Sequence, residues 1–239
     1  MVQKVFERSW FQIMNTRSLF YFLDYLGKLV KQPLTVQVGL IEKTYLPAKQ
    51  VVISPSFFKY LPCRKCGACC RKGVSLAFTA SDKVAIEEYG NTKLLSGLKQ
   101  YEINIGDSKK CWWLYEQSKP QTCDFLVSNL CSVHDVKAVN CLLPPILVGY
   151  CKKTQVVKLT KEKLHWRWVP NCQAQYTSFD LENFLNWDLY CLRRLQRSAE
   201  DLGIQTYLPE ILEKLENWLQ TCKDLSFFTG TPKDTILIV

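Results

Sequence analysis

The chain has 239 residues, 47% hydrophobic and 22% charged, with 12 cysteines and a formal net charge of +9. That length bounds the fold to one large domain or two small ones, and the composition excludes both a disordered chain and a minimal disulfide-stapled scaffold. The positive excess admits an anionic partner such as nucleic acid, an acidic membrane surface or an acidic protein. The lysines are spread along the chain rather than gathered in a run, which reads as an ordinary solvated surface.

The first 31 residues are basic and acid-poor, in the manner of an organelle presequence or a membrane-surface helix. A packed helix accounts for them better. Phe6, Trp10 and Ile13 mark one apolar face. Over 18–31, Ser18 supplies a cap, Leu19, Phe22, Leu23, Leu26, Leu29 and Val30 recur at helical steps, and Pro33 stops the run. Asp24 interrupts the apolar stretch and no small-residue cleavage site follows, unlike a secretory signal. No apolar stretch reaches the ~18 residues of a spanning helix.

LTVQVGL (34–40) alternates like a strand, and VVIS (51–54) reads as another. VSLAFTASDKVAIEEYG predicts a short strand, a cap at Thr79 or Ser81, a helix over Asp82–Tyr89 and a stop at Gly90. Residues 104–122 read as loop around the apolar CWWLY. TQVVKL (154–159) and KLHWRWV (163–169) read as a hairpin turning at Thr160, Lys161 and Glu162. Thr177 and Asp180 are spaced like a capping box before Leu181, Leu185, Leu189, Leu192 and Leu195, a helix that Gly203 ends. Pro209 opens the next helix, striped by Ile211, Leu212, Leu215, Trp218 and Leu219 and braced by a Glu210–Lys214 pair. TILIV at the end reads as an edge strand or docked tail.

Residues 63–70 read CRKCGACC. A C-x-x-C step lets two thiolates reach one ion across a turn, Gly67 permits the tight backbone, and the repeated step adds a third thiolate. Cys70, offset by one residue, points to a second site or the far side of a cluster. Cys123, Cys131, Cys141 and Cys172 follow. The candidate ligands are therefore Cys63, Cys66, Cys69, Cys70, Cys123, Cys131, Cys141 and Cys172. They suffice for two four-sulfur sites, for a cluster plus a zinc, or for one site with spectators. Oxidised pairing suits short secreted chains. Clustered thiols at ligand spacing in a longer chain without a signal point instead to reduced cysteines in the cytoplasm.

These motifs resemble the CxxCxxCC family of zinc- or iron-chelating domain proteins. The resemblance covers about 60–175: the run at 63–70, the stretch LAFTASDKVAI (76–86), the block CDFLVSNLCSVHDVKAVNCLLPP (123–145), and Cys172. The chain has Lys137-Ala138 where the family commonly has Arg-Pro, and Cys141-Leu142 where it often has Cys-Arg. Lysine lacks the guanidinium fork that grips an anion. The flagellin lysine N-methylases carry a similar cysteine motif with an iron–sulfur cluster. The resemblance implies metal binding and raises iron and protein modification by analogy.

Weaker signals read as packing. His134, three residues after Cys131, is placed beside the ligands rather than among them. His165 and the alternating Trp166, Arg167 and Trp168 read as strand, although nucleic-acid surfaces use the same pattern. The neighbours of Cys111 favour burial, Cys151 is a spare thiol, Cys191 lies in a late helix, and Cys222 continues a core stripe. Phosphate-loop, dinucleotide, zinc-hydrolase and serine-hydrolase motifs are absent from the sequence.

The sequence thus predicts an α+β fold: a loop-rich, cysteine- and metal-centred domain with short strands at 56–176. N-terminal helices and strands (1–55) pack on it, and a C-terminal helical hairpin and tail (177–239) follow. The expected function is binding of an iron–sulfur cluster or zinc in support of modifying a protein substrate. The alternative is a zinc-stapled binding module for nucleic acid or a protein partner, without catalysis. A third reading is a metal carrier or store with weak, exchangeable binding.

Overall fold

A computed structural model describes residues 19–58, 75–118, 122–128, 130–143, 146–161, 184–224 and 236–239. Helices and two main sheets combine in an α+β fold. Residues 19–26 form α1. The helix stops short of the expected 18–31, well before Pro33: Leu19, Phe22, Leu23 and Leu26 are buried on it, while Leu29 and Val30, also buried, lie in the turn beyond it, where Val30 bridges Thr206. Ser18 and the expected helix around Trp10 lie outside the described residues, as do Thr177, Asp180 and the strand predicted at 163–169.

The larger sheet is antiparallel in the order β2 (Ile41–Tyr45), β1 (Leu34–Val38), β5 (Leu98–Ile105), β6 (Ser108–Tyr115), β4 (Leu76–Phe78). Its longest pair, β5–β6, overturns the loop expected at 104–122. Gly106, at φ 54°, and Asp107 make a two-residue hairpin turn joining Ile105 to its partner Ser108. Trp112 and Leu114 are buried on one face of β6.

The second sheet runs β11 (Leu237–Ile238), β3 (Gln50–Ile53), β10 (Val156–Lys161), β9 (Ile146–Cys151). Here β3 and β10 are parallel, Leu159 opposite Ile53, and the tail docks on β3 as the expected edge strand. β10 corrects a second expectation. Thr160 and Lys161 are strand residues paired with Leu147 and Ile146 and are buried; they do not turn. The hairpin partner of β10 lies upstream, in the apolar ILVGYC.

Between β4 and β5 sit α2 (Ala80–Tyr89) and α3 (Thr92–Ser96). Thr79 is the N-cap, Gly90 stops α2 in the left-handed region at φ 73°, and the Asp82 carboxylate accepts the Thr79 backbone N–H at 2.9 Å. After β10, a π-helical turn (Phe184–Leu189) leads into α5 (Tyr190–Asp201), and α6 (Leu208–Asp224) completes the helices. Leu189, Leu192, Leu195, Ile211, Leu212, Leu215 and Leu219 are buried as the stripes require. Glu210 pairs with Lys31 beyond α1, not with Lys214 one turn away. α5 also grips α2. Arg194 forms an ion pair with Asp82. Asp201 accepts the Thr79 hydroxyl at 2.6 Å and the Ser81 backbone N–H at 2.9 Å, placing a carboxylate at the helix N-terminus, where it is favoured.

Two hydrophobic clusters result. The main core draws on α1, both sheets, α5 and α6. A smaller cluster gathers Leu76, Phe78, Ile86, Leu94, Tyr115, Cys123, Phe125, Val133, Val136 and Ala138, with Cys131 and Cys141 packed against it. Among the described residues no helix is long and apolar enough to cross a membrane.

Candidate metal centre

Cys63, Cys66, Cys69, Cys70 and Cys172 lie outside the described residues. Cys123, Cys131 and Cys141 are described, and all three meet the smaller cluster.

Cys123 opens a turn in which its carbonyl accepts the Leu126 N–H at 3.0 Å. The chain then forms a two-stranded ribbon, β7 (Leu126–Val127) with β8 (Leu130–Cys131), that sets Cys131 opposite Leu126. Ser128 takes a positive φ of 49° to make the reversal. The Ser132 N–H closes it onto the Phe125 carbonyl at 2.8 Å. Turn and ribbon thus fold a separation of eight positions into a neighbourhood in which Cys131 acts on the Cys123 thiol. Burial raises the Cys123 thiol, the Phe125 N–H on its sulfur opposes this, and the charge of Cys131 raises it further.

The end of β6 and the chain after it cradle this turn. The Gln117 Oε1 accepts the Asp124 N–H at 2.7 Å while its Nε2 donates to the Cys123 sulfur at 3.6 Å. The Asp124 carboxylate accepts the Ser118 N–H at 2.9 Å, the Ser118 hydroxyl at 2.5 Å and the Tyr115 hydroxyl at 3.0 Å. Burial pushes the Asp124 carboxyl up, but these donors outweigh it and hold it below its ordinary value. Burial and the Asp124 bond push Tyr115 up to about 12.

Cys141 sits on α4 (Val139–Leu142). Its neighbour Asn140 donates through Nδ2 to the Ser75 carbonyl at 2.8 Å and accepts the Ala77 N–H at 3.3 Å. Ser75 is the first described residue after the CRKCGACC segment, and it is held by the neighbour of Cys141. The 3-10 turn Pro55–Phe58, which precedes that segment in the chain, lies beside the carboxyl ends of parallel β3 and β10. There the Ser56 hydroxyl bonds that of Thr160.

His134 stacks on Trp187, ring centroids 5.2 Å apart, in the packing role expected of it. The Lys137 ammonium lies 4.8 Å from the Trp187 centroid, a cation resting on an aromatic face. Cys111 is half-buried and accepts a 3.2 Å bond from Gln100, less enclosed than its tryptophan neighbours suggest. Cys151 is exposed, and Cys191 and Cys222 are buried. Gln117, Asp124 and Asn140 were not singled out by the sequence. Adjacency to Cys123 and Cys141 marks the last two, whereas Gln117 acts across six positions of loop.

Two neighbouring thiols are the donor type a thiophilic ion takes; N–H donors on the Cys123 sulfur favour its thiolate, but burial outweighs them and holds the thiol above its ordinary value. Among the described residues no three His, Cys, Asp or Glu side chains are grouped to hold a metal ion. No family model matches the chain, and no curated protein or solved structure matches it significantly.

Proposed function

We propose that this is a metal-binding protein of the CxxCxxCC type. It holds an iron–sulfur cluster or zinc on thiolates drawn from Cys63, Cys66, Cys69, Cys70, Cys123, Cys131, Cys141 and Cys172, and it supports modification of a protein substrate. The observation that supports this reading is that Cys123, Cys131 and Cys141 each meet the same small hydrophobic cluster, with Cys131 near enough to act on the Cys123 thiol. Chain geometry adds to it. Cys70 precedes Ser75 by five positions, a tether of about 18 Å at full extension, and Ser75 is fastened to the neighbour of Cys141. The described cysteines carry free thiols, the state a reducing cytoplasm maintains.

A metal bound there would supply cross-linking of distant segments and, for an iron–sulfur cluster, electron transfer. The residues' own part is to present sulfur already turned inward, supported by amide donors. A zinc-stapled module that binds a protein partner is the second reading. It is favoured by Val127 and Leu130, which are 59% and 51% exposed at the tip of the ribbon between two thiols.

Anaerobic purification followed by iron, zinc and sulfide analysis tests both. Iron with sulfide supports the first reading; stoichiometric zinc in a colourless sample supports the second. Replacing Cys63, Cys66, Cys69 and Cys70 together by serine should remove the metal and lower the melting temperature. Full metal content and an unchanged melting curve in that variant would overturn both readings.

A further inference from the structure

The side-chain amide of Gln117 divides its two ends between two tasks. Its oxygen holds the backbone of Asp124 at 2.7 Å, and its nitrogen faces the Cys123 sulfur at 3.6 Å. The first bond fixes the turn, while the second reaches the atom that would carry negative charge on a metal. The Phe125 N–H approaches the same sulfur, so Cys123 has one donor from the backbone and one from a side chain. Only the side-chain donor can be changed by substitution.

Resting on the metal reading above, we infer that Gln117 is a positioning residue for that centre: its Nε2–H orients the Cys123 sulfur and withdraws charge from it. Hydrogen bonds to ligating sulfur set reduction potential and metal affinity, and loss of such outer partners typically costs about 10- to 100-fold in affinity. The neighbouring Asp124 makes a neutral donor the fitting choice. A carboxylate at position 117 would face both the thiolate and the Asp124 side chain, whereas an amide adds no charge.

Gln117→Glu separates the two tasks, since it keeps an oxygen for the Asp124 N–H and replaces the sulfur-facing donor by an acceptor. The probe is cobalt(II), titrated into apoprotein against a competing chelator while thiolate-to-cobalt charge-transfer absorption is followed. The expected result is binding at least about tenfold weaker in Gln117→Glu than in wild type, with a displaced charge-transfer band. Gln117→Asn, too short to span both partners, should lose affinity as well. Wild-type affinity and spectrum in Gln117→Glu overturn the inference.

If wild type shows no thiolate-to-cobalt band, the metal reading fails instead. Gln117 is then judged by iodoacetamide labelling of Cys123 in metal-free protein at one fixed pH, mapped by peptide mass. Slower labelling in Gln117→Glu than in wild type supports the sulfur-facing bond, and equal rates overturn it.

Discussion

Cys123 and Cys191 are both buried thiols, yet the two clusters treat them differently. Cys191 lies in the main core on α5, 1% exposed, near the buried ion pair of Lys161 and Asp188. Burial first, and the Asp188 carboxylate next, push its thiol up to about 12. Cys123 lies on the smaller cluster, where two N–H donors reach its sulfur and a second thiol stands nearby. Burial alone makes a cysteine an inert apolar side chain. At Cys123 the amide donors oppose the upward push of burial without overcoming it, whereas at Cys191 the neighbouring carboxylate adds to it. The comparison separates two buried thiols that spacing in the sequence cannot tell apart, one with N–H donors on its sulfur and one beside a carboxylate.

The sharpest way to break this contrast is to damage the main core and ask whether the thiol region follows. Lys161 and Asp188 are 1% and 3% exposed, and the Lys161 ammonium also lies 5.2 Å from the Phe57 ring centroid. Burial lowers the lysine and raises the carboxyl, each opposed by its partner's charge. Lys161→Met alone strands a buried carboxylate and should cost about 3–5 kcal/mol in urea unfolding. Joining it with Asp188→Leu should recover most of that loss, because an apolar pair of similar volume avoids the desolvation of both charges. A double variant as unstable as the single would mean that the pair does more than balance charge.

A smaller effect tests the other cluster. Asp124→Asn keeps the shape but removes the charge that draws in Ser118 and Tyr115, at a cost of about 2 kcal/mol at pH 7. The folded carboxyl lies below its ordinary 3.8. Its contribution is therefore fully present above that value and fades as pH falls through the lower folded one. The wild-type advantage over Asp124→Asn should hold from pH 7 to 5 and shrink below about pH 4 in denaturant curves. An advantage constant down to pH 2 would show that geometry, not charge, holds the turn.

What the sequence made legible follows from how local each signal is. The first turns of α1, the Thr79 cap, the Gly90 stop and the stripe on α6 depend on residues within a few positions of one another and are found in place, whereas α1 ends at 26 rather than running on to Pro33. The β5–β6 hairpin was hidden because CWWLY is a continuous apolar run, while its turn signal, Gly106-Asp107, lies apart from it. Lys161 was misread as a turn because its partner Asp188 is 27 positions away. Glu210 likewise reaches Lys31. In the candidate site, spacing nominated Cys123, Cys131 and Cys141. It could not nominate Gln117, whose bond to sulfur exists only once the chain after β6 folds back over the turn.

Lys137 gives the mildest test, because it touches both regions. It belongs to the cysteine block, yet its ammonium rests on Trp187 of the π-helical turn, and its charge opposes the upward shift of Cys191. Lys137→Ala should cost about 0.5–1 kcal/mol in thermal melting, the worth of one half-buried cation on an aromatic face. Lys137→Arg should restore or exceed wild-type stability, since a planar guanidinium stacks at least as well as an ammonium. A joint between the clusters predicts more than a lower melting temperature in Lys137→Ala. Amide hydrogen exchange should quicken in the segment 131–143 while the buried strands β3 and β10 keep their protection. Equal quickening in both would mean that the two clusters open as one cooperative unit, and that the different settings of Cys123 and Cys191 do not divide the molecule's stability.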